Sequence, residues 1–295
     1  MILVTGASGF VGRRLIARLS ERGERVRALV HDARSAQQMR SGRVQAFARD
    51  ARDPGLPRRV LEGVDSVIHL DVAGLQPDPA TGIAVRALDP RRVVEAARVA
   101  GVRRVLYVSS LGARNDPRYP YYHGQWLGEQ TVIAGGVPYA ILRPSLVAGP
   151  GDPSFTALAG LIRLAPIVPI LDRDGARHQP IAVHDLCSCL LKMLDDDRYL
   201  GGVHDVGGPE QLSDREMAEI VMRVLGRRRP IVRLPGATAR QAAALLGALA
   251  PRAAMVRGAL DLPTGDLVTA TDALPRLFGV EKPMRLQAAL DYVRR

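Results

Sequence analysis

The chain has 295 residues, of which 47% are apolar, and its 41 basic and 30 acidic residues give a formal net charge of +11. A chain of this length and apolar content buries a full core, which excludes a disordered protein and a fibrous repeat. The charge alone would suit nucleic acid or an anionic membrane. It consists almost entirely of arginines scattered among acids, with Lys only at Lys192 and Lys282, so nucleic-acid binding is not predicted.

The cysteines and the N-terminus favour a cytoplasmic location. Cys187 and Cys189 stand two residues apart on a predicted helix, so their side chains point in different directions and form no ordinary disulfide. Met1 is followed at once by an apolar strand, which leaves no room for a cleaved signal peptide. No apolar stretch approaches the roughly 20 residues that a membrane-spanning helix needs. We therefore expect a cytoplasmic globular protein.

Strand and helix signals alternate along the first part of the chain. Short apolar runs predict strands, and amphipathic segments between them predict helices. In chain order these are strand 2–5, helix 12–22, strand 25–30, strand 45–48, helix 57–61, strand 66–70, helix 90–100 and strand 104–109. The continuous apolar character of residues 105–108 is typical of a parallel sheet covered by helices on both faces. The sequence therefore predicts a doubly wound α/β fold.

The pattern changes after a helix at 122–134 and a strand at 139–142. Prolines and glycines then interrupt regular structure, at Pro144, Gly149, Pro150, Gly151 and Pro153. We predict a first domain over 1–150 and a smaller α-rich C-terminal subdomain over 151–295. The helices predicted in the subdomain are 185–194, 214–225 and 286–293. Residues 203–206 are interpreted as a strand able to return to the first sheet.

The segment between the first strand and the first helix carries three glycines. Gly6, Gly9 and Gly12 directly follow the strand and open the helix. In such a loop the first glycine permits a tight turn, the second lets the backbone approach a pyrophosphate, and the third lets the helix pack on the strand. The free N–H groups at the helix start face the phosphates. This context predicts a Rossmann domain that binds NAD(H) or NADP(H).

The spacing of the three glycines resembles that of the extended and atypical short-chain dehydrogenase/reductase superfamily, which includes NAD-dependent epimerases and dehydratases. The resemblance covers nearly the whole chain. It rests on the glycine loop, the Asp50 turn, residues 108–110, the Tyr121 region and residues 141–150. Residues 121–130, 179–181 and 205–210 are similar to a group that includes bacterial relatives of the nucleotide-binding accessory subunit of respiratory complex I.

The resemblance implies which residues bind the dinucleotide. Beside the glycines they are Ser8, Phe10, Val11, His31, Arg34, Asp50, Val72, Ala73, Gly74 and Pro144. His31 takes the place where related NADP-binding members often carry Arg, and Arg34 is within reach of a 2′-phosphate. Asp32 opposes this preference unless it caps the next turn, and Asp50 is equally well explained as a cap. We favour NADP(H), with NAD(H) possible.

Redox-active members of this superfamily use a Tyr, a Lys four residues later on the same helix, and a Ser at the preceding strand end. By this register Tyr121 is the acid/base candidate, and Ser109 or Ser110 is the hydroxyl that polarises the substrate. Gln125 occupies the Lys position, and a register that starts at Tyr122 also meets no cation. A neutral side chain does not favour a tyrosinate as Lys does, so the resemblance implies a degenerate catalytic site.

Three functions are compatible with these residues. The leading hypothesis is an NAD(P)H-dependent oxidoreductase that acts on a small carbonyl or quinone-like substrate. The alternatives are a non-catalytic dinucleotide-binding scaffold, assembly factor or redox sensor, which Gln125 favours, and a nucleotide-sugar epimerase or dehydratase. The histidine spacing predicts no metal site. Residues 237–250 predict an apolar helix for which a peripheral membrane contact is less common than packing on its own domain.

Overall fold

The computed structural model describes most of both halves of the chain. The described residues are 1–48, 56, 58–70, 76–77, 84–85, 88–171, 175–235 and 266–294. Four of the predicted cofactor-binding residues, Asp50, Val72, Ala73 and Gly74, lie outside them, as does the helix predicted at 237–250. No helix in the described ranges is both long enough and apolar enough to cross a bilayer.

The first half of the chain alternates strands and helices as predicted, with an unpredicted helix at 33–39 and two unpredicted short strands at 76–77 and 84–85. Its elements are β1 (Ile2–Thr5), α1 (Phe10–Glu21), β2 (Val26–Val30), α2 (Ala33–Met39), β3 (Val44–Ala48), α3 (Arg58–Leu61), β4 (Ser66–His69), β5 (Gln76–Pro77), β6 (Ala84–Val85), α4 (Pro90–Val99), β7 (Arg104–Val108), α5 (Pro120–Ile133) and β8 (Tyr139–Pro144).

The remaining elements are shorter on average and include several two-residue strands. They are β9 (Val147–Ala148), α6 (Pro153–Leu164), β10 (Val168–Leu171), β11 (Arg177–His178), β12 (Ile181–Ala182), α7 (Val183–Asp195), β13 (Val203–Val206), β14 (Leu212–Ser213), α8 (Asp214–Leu225), β15 (Ile231–Leu234), α9 (Ala273–Phe278) and α10 (Leu286–Ala289). Two 3₁₀ turns cover Asp197–Tyr199 and Asp291–Arg294.

The main sheet has seven strands in the order β13-β8-β7-β4-β1-β2-β3. The six strands β8, β7, β4, β1, β2 and β3 pair in parallel with their neighbours. Thr5 of β1 lies opposite Leu29 on one side and His69 on the other. The strand order reverses between β1 and β4, and open α/β sheets bind ligands beyond the carboxyl ends of strands at such a reversal. The predicted doubly wound fold is confirmed, and the strand at 203–206 returns to this sheet.

Burial explains why the first strand and helix pair so closely. Every residue of β1 is buried, and α1 buries Gly12, Leu15, Ile16 and Leu19 on a single face. A Cβ atom at Gly12 would stand 2.5 Å from the Gly6 carbonyl oxygen and 2.7 Å from that of Ala7. The absence of a side chain at Gly12 therefore sets how near α1 lies to the turn that follows β1.

The chain divides into two compact units. Unit 1 comprises Met1–Pro117, Tyr121–Pro144 and Leu186–Asp205, and unit 2 comprises Arg118–Pro120, Ser145–Asp185 and Val206–Arg295. Unit 1 includes a late segment of the chain because β13 extends the main sheet beside β8, where the Ile141 N–H donates to the Gly202 carbonyl. Each unit has its own apolar cluster.

Among its described residues, unit 2 contains two helices that were not predicted from the sequence, α6 and α9. Asp152 accepts a hydrogen bond from the Phe155 N–H, and Pro153 occupies the first turn of α6. This combination starts a helix, because the carboxylate satisfies a free N–H and proline lacks one. The helix predicted at 214–225 is confirmed, with a capping box between Ser213 and Glu216. The C-terminal helix ends earlier than predicted, at Ala289.

Substitution of Gly12 by Ala should destabilise unit 1 by about 1–3 kcal/mol, because the new methyl group has no space against two backbone oxygens. Gly124→Ala on α5 is the matched control, since a Cβ there meets nothing within 4 Å. The control should be neutral or stabilising by up to about 1 kcal/mol, as expected for Gly to Ala in a helix. Urea unfolding measures the free energy of unfolding of both variants. Equal stability of the two would contradict the close approach of α1 to the turn after β1.

Candidate active site

The glycine loop has the geometry that a diphosphate requires. Gly6 turns the chain with a positive φ of 63°, and the Gly9 N–H donates to its carbonyl. Gly9 is the N-cap residue of α1 and offers no side-chain cap. The first N–H groups of α1, from Phe10, Val11 and Gly12, therefore have neither a helical partner nor a capping side chain. A phosphate is the group that such a helix start binds well.

In the turn after β2, the carboxylate of Asp32 accepts hydrogen bonds from Ser35. Its Oδ1 accepts from the Ser35 N–H at 2.8 Å, and its Oδ2 accepts from the Ser35 hydroxyl at 2.6 Å. These bonds lower the pKa of Asp32 and cap α2. Arg34, on the first turn of α2, is exposed. Both oxygens of the acid are thus engaged locally, next to an exposed guanidinium.

Tyr121 lies in the first turns of α5 and meets two of the predicted site residues. The polar side chains of Ser110 and Gln125 lie beside its hydroxyl. Burial of the hydroxyl end raises the pKa of Tyr121 above its ordinary value of 10, and these two polar neighbours oppose the rise. The residue as a whole remains 38% exposed. The structure therefore places Ser110, Tyr121 and Gln125 together, with the Tyr121 hydroxyl buried and the rest of the residue partly exposed.

Gln125 is completely buried one helical turn after Tyr121. Its Oε1 accepts from the Tyr107 hydroxyl at 3.3 Å. Its Nε2 is buried and has no hydrogen-bond partner among the residues that the structure describes. A buried amide N–H without a partner costs free energy, and a ligand hydroxyl would satisfy it. This orphaned donor fits a dinucleotide ribose in the place where a Lys is expected.

Ser109 takes part in a different network. Its hydroxyl donates to Oε1 of Glu129, which is buried with 1% exposure. Arg143 binds the same carboxylate as a fork, with Nε 2.7 Å from Oε1 and Nη2 2.5 Å from Oε2. Glu129 and Asp205 together raise the pKa of Arg143. Because the Ser109 hydroxyl is committed to Glu129, the arrangement favours Ser110 as the hydroxyl that faces a substrate.

Glu129 and Arg143 were not predicted from the sequence as residues of this region. A signal was present, since Glu129 stands four residues after Gln125 and eight after Tyr121, on one helix face. Pro144 ends β8, and its carbonyl accepts from the Leu111 N–H at 2.9 Å, which holds the loop after Ser110.

The alternative register begins at Tyr122, beside Tyr121 on α5. Tyr122 is buried, and the guanidinium of Arg114 lies 5.9 Å from the centre of its ring.

Comparison with known proteins agrees with this geometry. The family described as NAD dependent epimerase/dehydratase matches residues 2–206. The chain is 33% identical over 200 residues to a ceramide reductase of Caulobacter vibrioides, a match that covers 65% of this chain and 60% of that protein. It is 25% identical to the mitochondrial NADH dehydrogenase [ubiquinone] 1 alpha subcomplex subunit 9 of Arabidopsis thaliana. That match covers 82% of this chain and 62% of the plant protein. Both alignments thus span less than two thirds of the relative's own length.

A solved structure shares the fold. The UDP-glucuronic acid 4-epimerase from Bacillus cereus, in complex with UDP-glucuronic acid and NAD, superposes with a TM-score of 0.76 at 18% identity. The superposition covers 99% of this chain and 98% of that chain. At this identity the likeness concerns the fold alone.

Substitution of Arg143 by Met should destabilise unit 1 by about 3 kcal/mol, because it leaves the buried Glu129 carboxylate without its counterion. Arg22→Met is the matched control, since its pair with Asp195 is 35% and 49% exposed and should contribute under about 1 kcal/mol. Trp126, the single tryptophan of the chain, lies on α5 and reports unfolding by fluorescence. Similar losses in the two variants would show that Glu129 does not depend on Arg143.

Proposed function

Because the chain belongs to the NAD-dependent epimerase/dehydratase family, we propose that it is an NADP(H)-dependent reductase of a small carbonyl or quinone-like compound. Family membership makes it an NAD(P)-dependent, oxidoreductase-like protein, and the finer activity is the proposal. The observation that carries it is the meeting of the Tyr121 hydroxyl with the side chains of Ser110 and Gln125. The ceramide reductase relative, a reductase by name, agrees with this direction of reaction.

In this proposal different residues bind different parts of the dinucleotide. The N–H groups at the start of α1 hold the diphosphate, with the close approach that Gly9 permits. Nε2 of Gln125 donates to a hydroxyl of the nicotinamide ribose, which satisfies the buried donor that lacks a partner. When bound, the reduced nicotinamide supplies a hydride. These contacts orient that end of the cofactor toward Tyr121.

The substrate oxygen is held by two hydroxyl groups. Ser110 and Tyr121 donate hydrogen bonds to the carbonyl oxygen, which makes the carbonyl carbon more electrophilic. As the hydride reaches that carbon, the Tyr121 phenol gives its proton to the oxygen, and the product is an alcohol. The tyrosinate then recovers a proton from water that enters as the product leaves. The neutral Gln125 suits this direction, because a phenol with a raised pKa is an acid and not a base at neutral pH.

One observation favours a second candidate. Gln125 places no positive charge beside Tyr121, so the site lacks the cation that accelerates proton transfer in related enzymes. A non-catalytic dinucleotide-binding scaffold, assembly factor or redox sensor would tolerate this change. The complex I subunit among the relatives agrees with this alternative. Nucleotide-sugar epimerisation needs Tyr121 as a base as well as an acid, which the neutral amide does not favour.

The turn after β2 supports NADP(H) over NAD(H). An acid at this place usually binds the ribose 2′-hydroxyl of NAD, but both oxygens of Asp32 are engaged by Ser35. Arg34 is exposed on the adjacent turn and supplies a cation for a 2′-phosphate, with His31 beside it.

Replacing Arg34 by Ala should weaken NADPH binding about tenfold and leave NADH binding nearly unchanged, because only NADPH carries the 2′-phosphate. Arg40→Ala is the matched control, since it removes the same charge from the exposed C-terminal end of α2. Calorimetric titration of each variant with both nucleotides gives the two affinities. An equal loss for NADH and NADPH would reject the 2′-phosphate assignment.

Gln125→Lys should raise NADPH-dependent carbonyl reduction by about a hundredfold, because a cation beside Tyr121 lowers its pKa and assists proton transfer. In the wild-type protein the rate should stay level with rising pH and fall only above about 10, as the phenol loses its proton. In the variant the fall should begin at lower pH. Adding Tyr121→Phe should remove the gain.

NADPH oxidation against a panel of aldehydes, ketones and quinones measures these rates. Nucleotide binding by each variant is the control, because the comparison requires that all of them bind NADPH. If NADPH binds and no substrate turns over in the wild type or the Lys variant, the reductase proposal fails and the scaffold is the better explanation.

A further inference from the structure

Tyr107 is a fully buried tyrosine whose hydroxyl meets the candidate site. It lies on β7 with 0% exposure, within the apolar cluster of unit 1. A phenol in such a place needs a hydrogen-bond partner, because an unpaired buried hydroxyl is costly. Its hydroxyl donates to Oε1 of Gln125 at 3.3 Å, also in the interior. The bond therefore joins the centre of the sheet to the residue that stands in the Lys position.

We propose that Tyr107 is a positioning residue, which holds the Gln125 carboxamide by its oxygen so that Nε2 faces the nicotinamide ribose. This inference rests on the proposed binding of a dinucleotide. A Gln at this position must be held in one rotation of its carboxamide, whereas a Lys would not need this. An ammonium group donates in any rotation, whereas a carboxamide presents a donor at one end and an acceptor at the other. A half-turn of the amide would replace the donor by an acceptor.

Helix α5 is built to admit the Tyr107 hydroxyl. A Cβ atom at Gly128 would stand 2.4 Å from the Tyr107 hydroxyl oxygen and 3.1 Å from Cζ. Gly128 lies three residues after Gln125, so the two face the same strand. The glycine thus leaves the opening through which the phenol reaches the amide.

The other side of the Tyr107 ring is also fixed. His69 at the end of β4 stacks on it, with ring centroids 5.5 Å apart. The His69 Nδ1 lies 2.5 Å from the hydroxyl oxygen of Thr5, the last residue of β1. Thr5 immediately precedes the glycine loop. The ends of β1 and β4, between which the strand order reverses, therefore fix the Tyr107 ring, and the Tyr107 hydroxyl in turn contacts Gln125.

The test compares a whole cofactor with a part of it. NADPH contains the nicotinamide ribose, and adenosine 2′,5′-bisphosphate contains only the adenosine end. Tyr107→Phe removes one hydroxyl and should weaken NADPH about three- to tenfold while leaving the bisphosphate unchanged, in calorimetric titrations. A general disturbance of the fold would weaken both ligands, so the pair separates positioning from structure.

Tyr139→Phe is the matched control, because it also removes a phenol hydroxyl with a 3.3 Å bond, here to the Gly201 carbonyl. Both ligands should bind it as they bind the wild type. Gln125→Met should show the same selective loss as Tyr107→Phe, and the double variant should lose no more than Gln125→Met alone. Gly128→Ala, which pushes the phenol from its opening, should reproduce the pattern by an independent change.

Two results would overturn the inference. One is unchanged NADPH affinity in both Tyr107→Phe and Gly128→Ala, and the other is an equal loss for NADPH and the bisphosphate. If the wild-type protein binds neither NADPH nor NADH, the proposed function itself fails, and this inference falls with it. A wild type that binds NADPH normally while the Tyr107 variants show no selective loss leaves the proposed function intact and rejects the inference alone.

Discussion

A buried carboxylate on α5 determines where the candidate site lies. Glu129 is removed from water, which is costly unless an opposite charge and hydrogen bonds replace the lost solvent. The replacements come from two neighbouring strands, with the Ser109 hydroxyl following β7 and the Arg143 guanidinium on β8. Sliding or turning α5 would separate these groups from the carboxylate. The helix is therefore held at one height against the sheet, and with it every residue that it presents.

Three residues on one face of α5 then have different environments at regular spacing. Tyr121 is partly exposed, whereas Gln125 and Glu129 are buried at intervals of four residues. The accessible phenol suits exchange of a proton with a substrate. The buried amide suits a hydrogen bond to a cofactor, and the buried acid anchors the helix. Burial raises the pKa of the Tyr121 phenol, and a neutral Gln125 does not oppose the rise as a Lys would. The phenol therefore keeps its proton and serves as the acid of the proposed reduction.

Much of the fold and part of the site were predictable because their signals are local. The apolar strand before Gly6, Gly9 and Gly12 and the helix after them predict the phosphate loop without any knowledge of distant contacts. The four-residue spacing of Tyr121 and Gln125 likewise predicts that they share a helix face. Helix α6 was missed although Asp152 and Pro153 form a start signal, because the nearby prolines and glycines were interpreted as a general break.

The sequence by itself determined the seven strands of the main sheet, the glycine loop and the absence of a Lys four residues after Tyr121, since each depends on residues close together in the chain. Only the tertiary structure showed that the Ser109 hydroxyl donates to Glu129, 20 residues away along the chain, and that Ser110 lies beside Tyr121. It also decided that Asp32 is a cap and that Tyr107 contacts Gln125 from another element. Such contacts depend on how helices pack on the sheet, and local pattern does not encode which side chains that packing brings together.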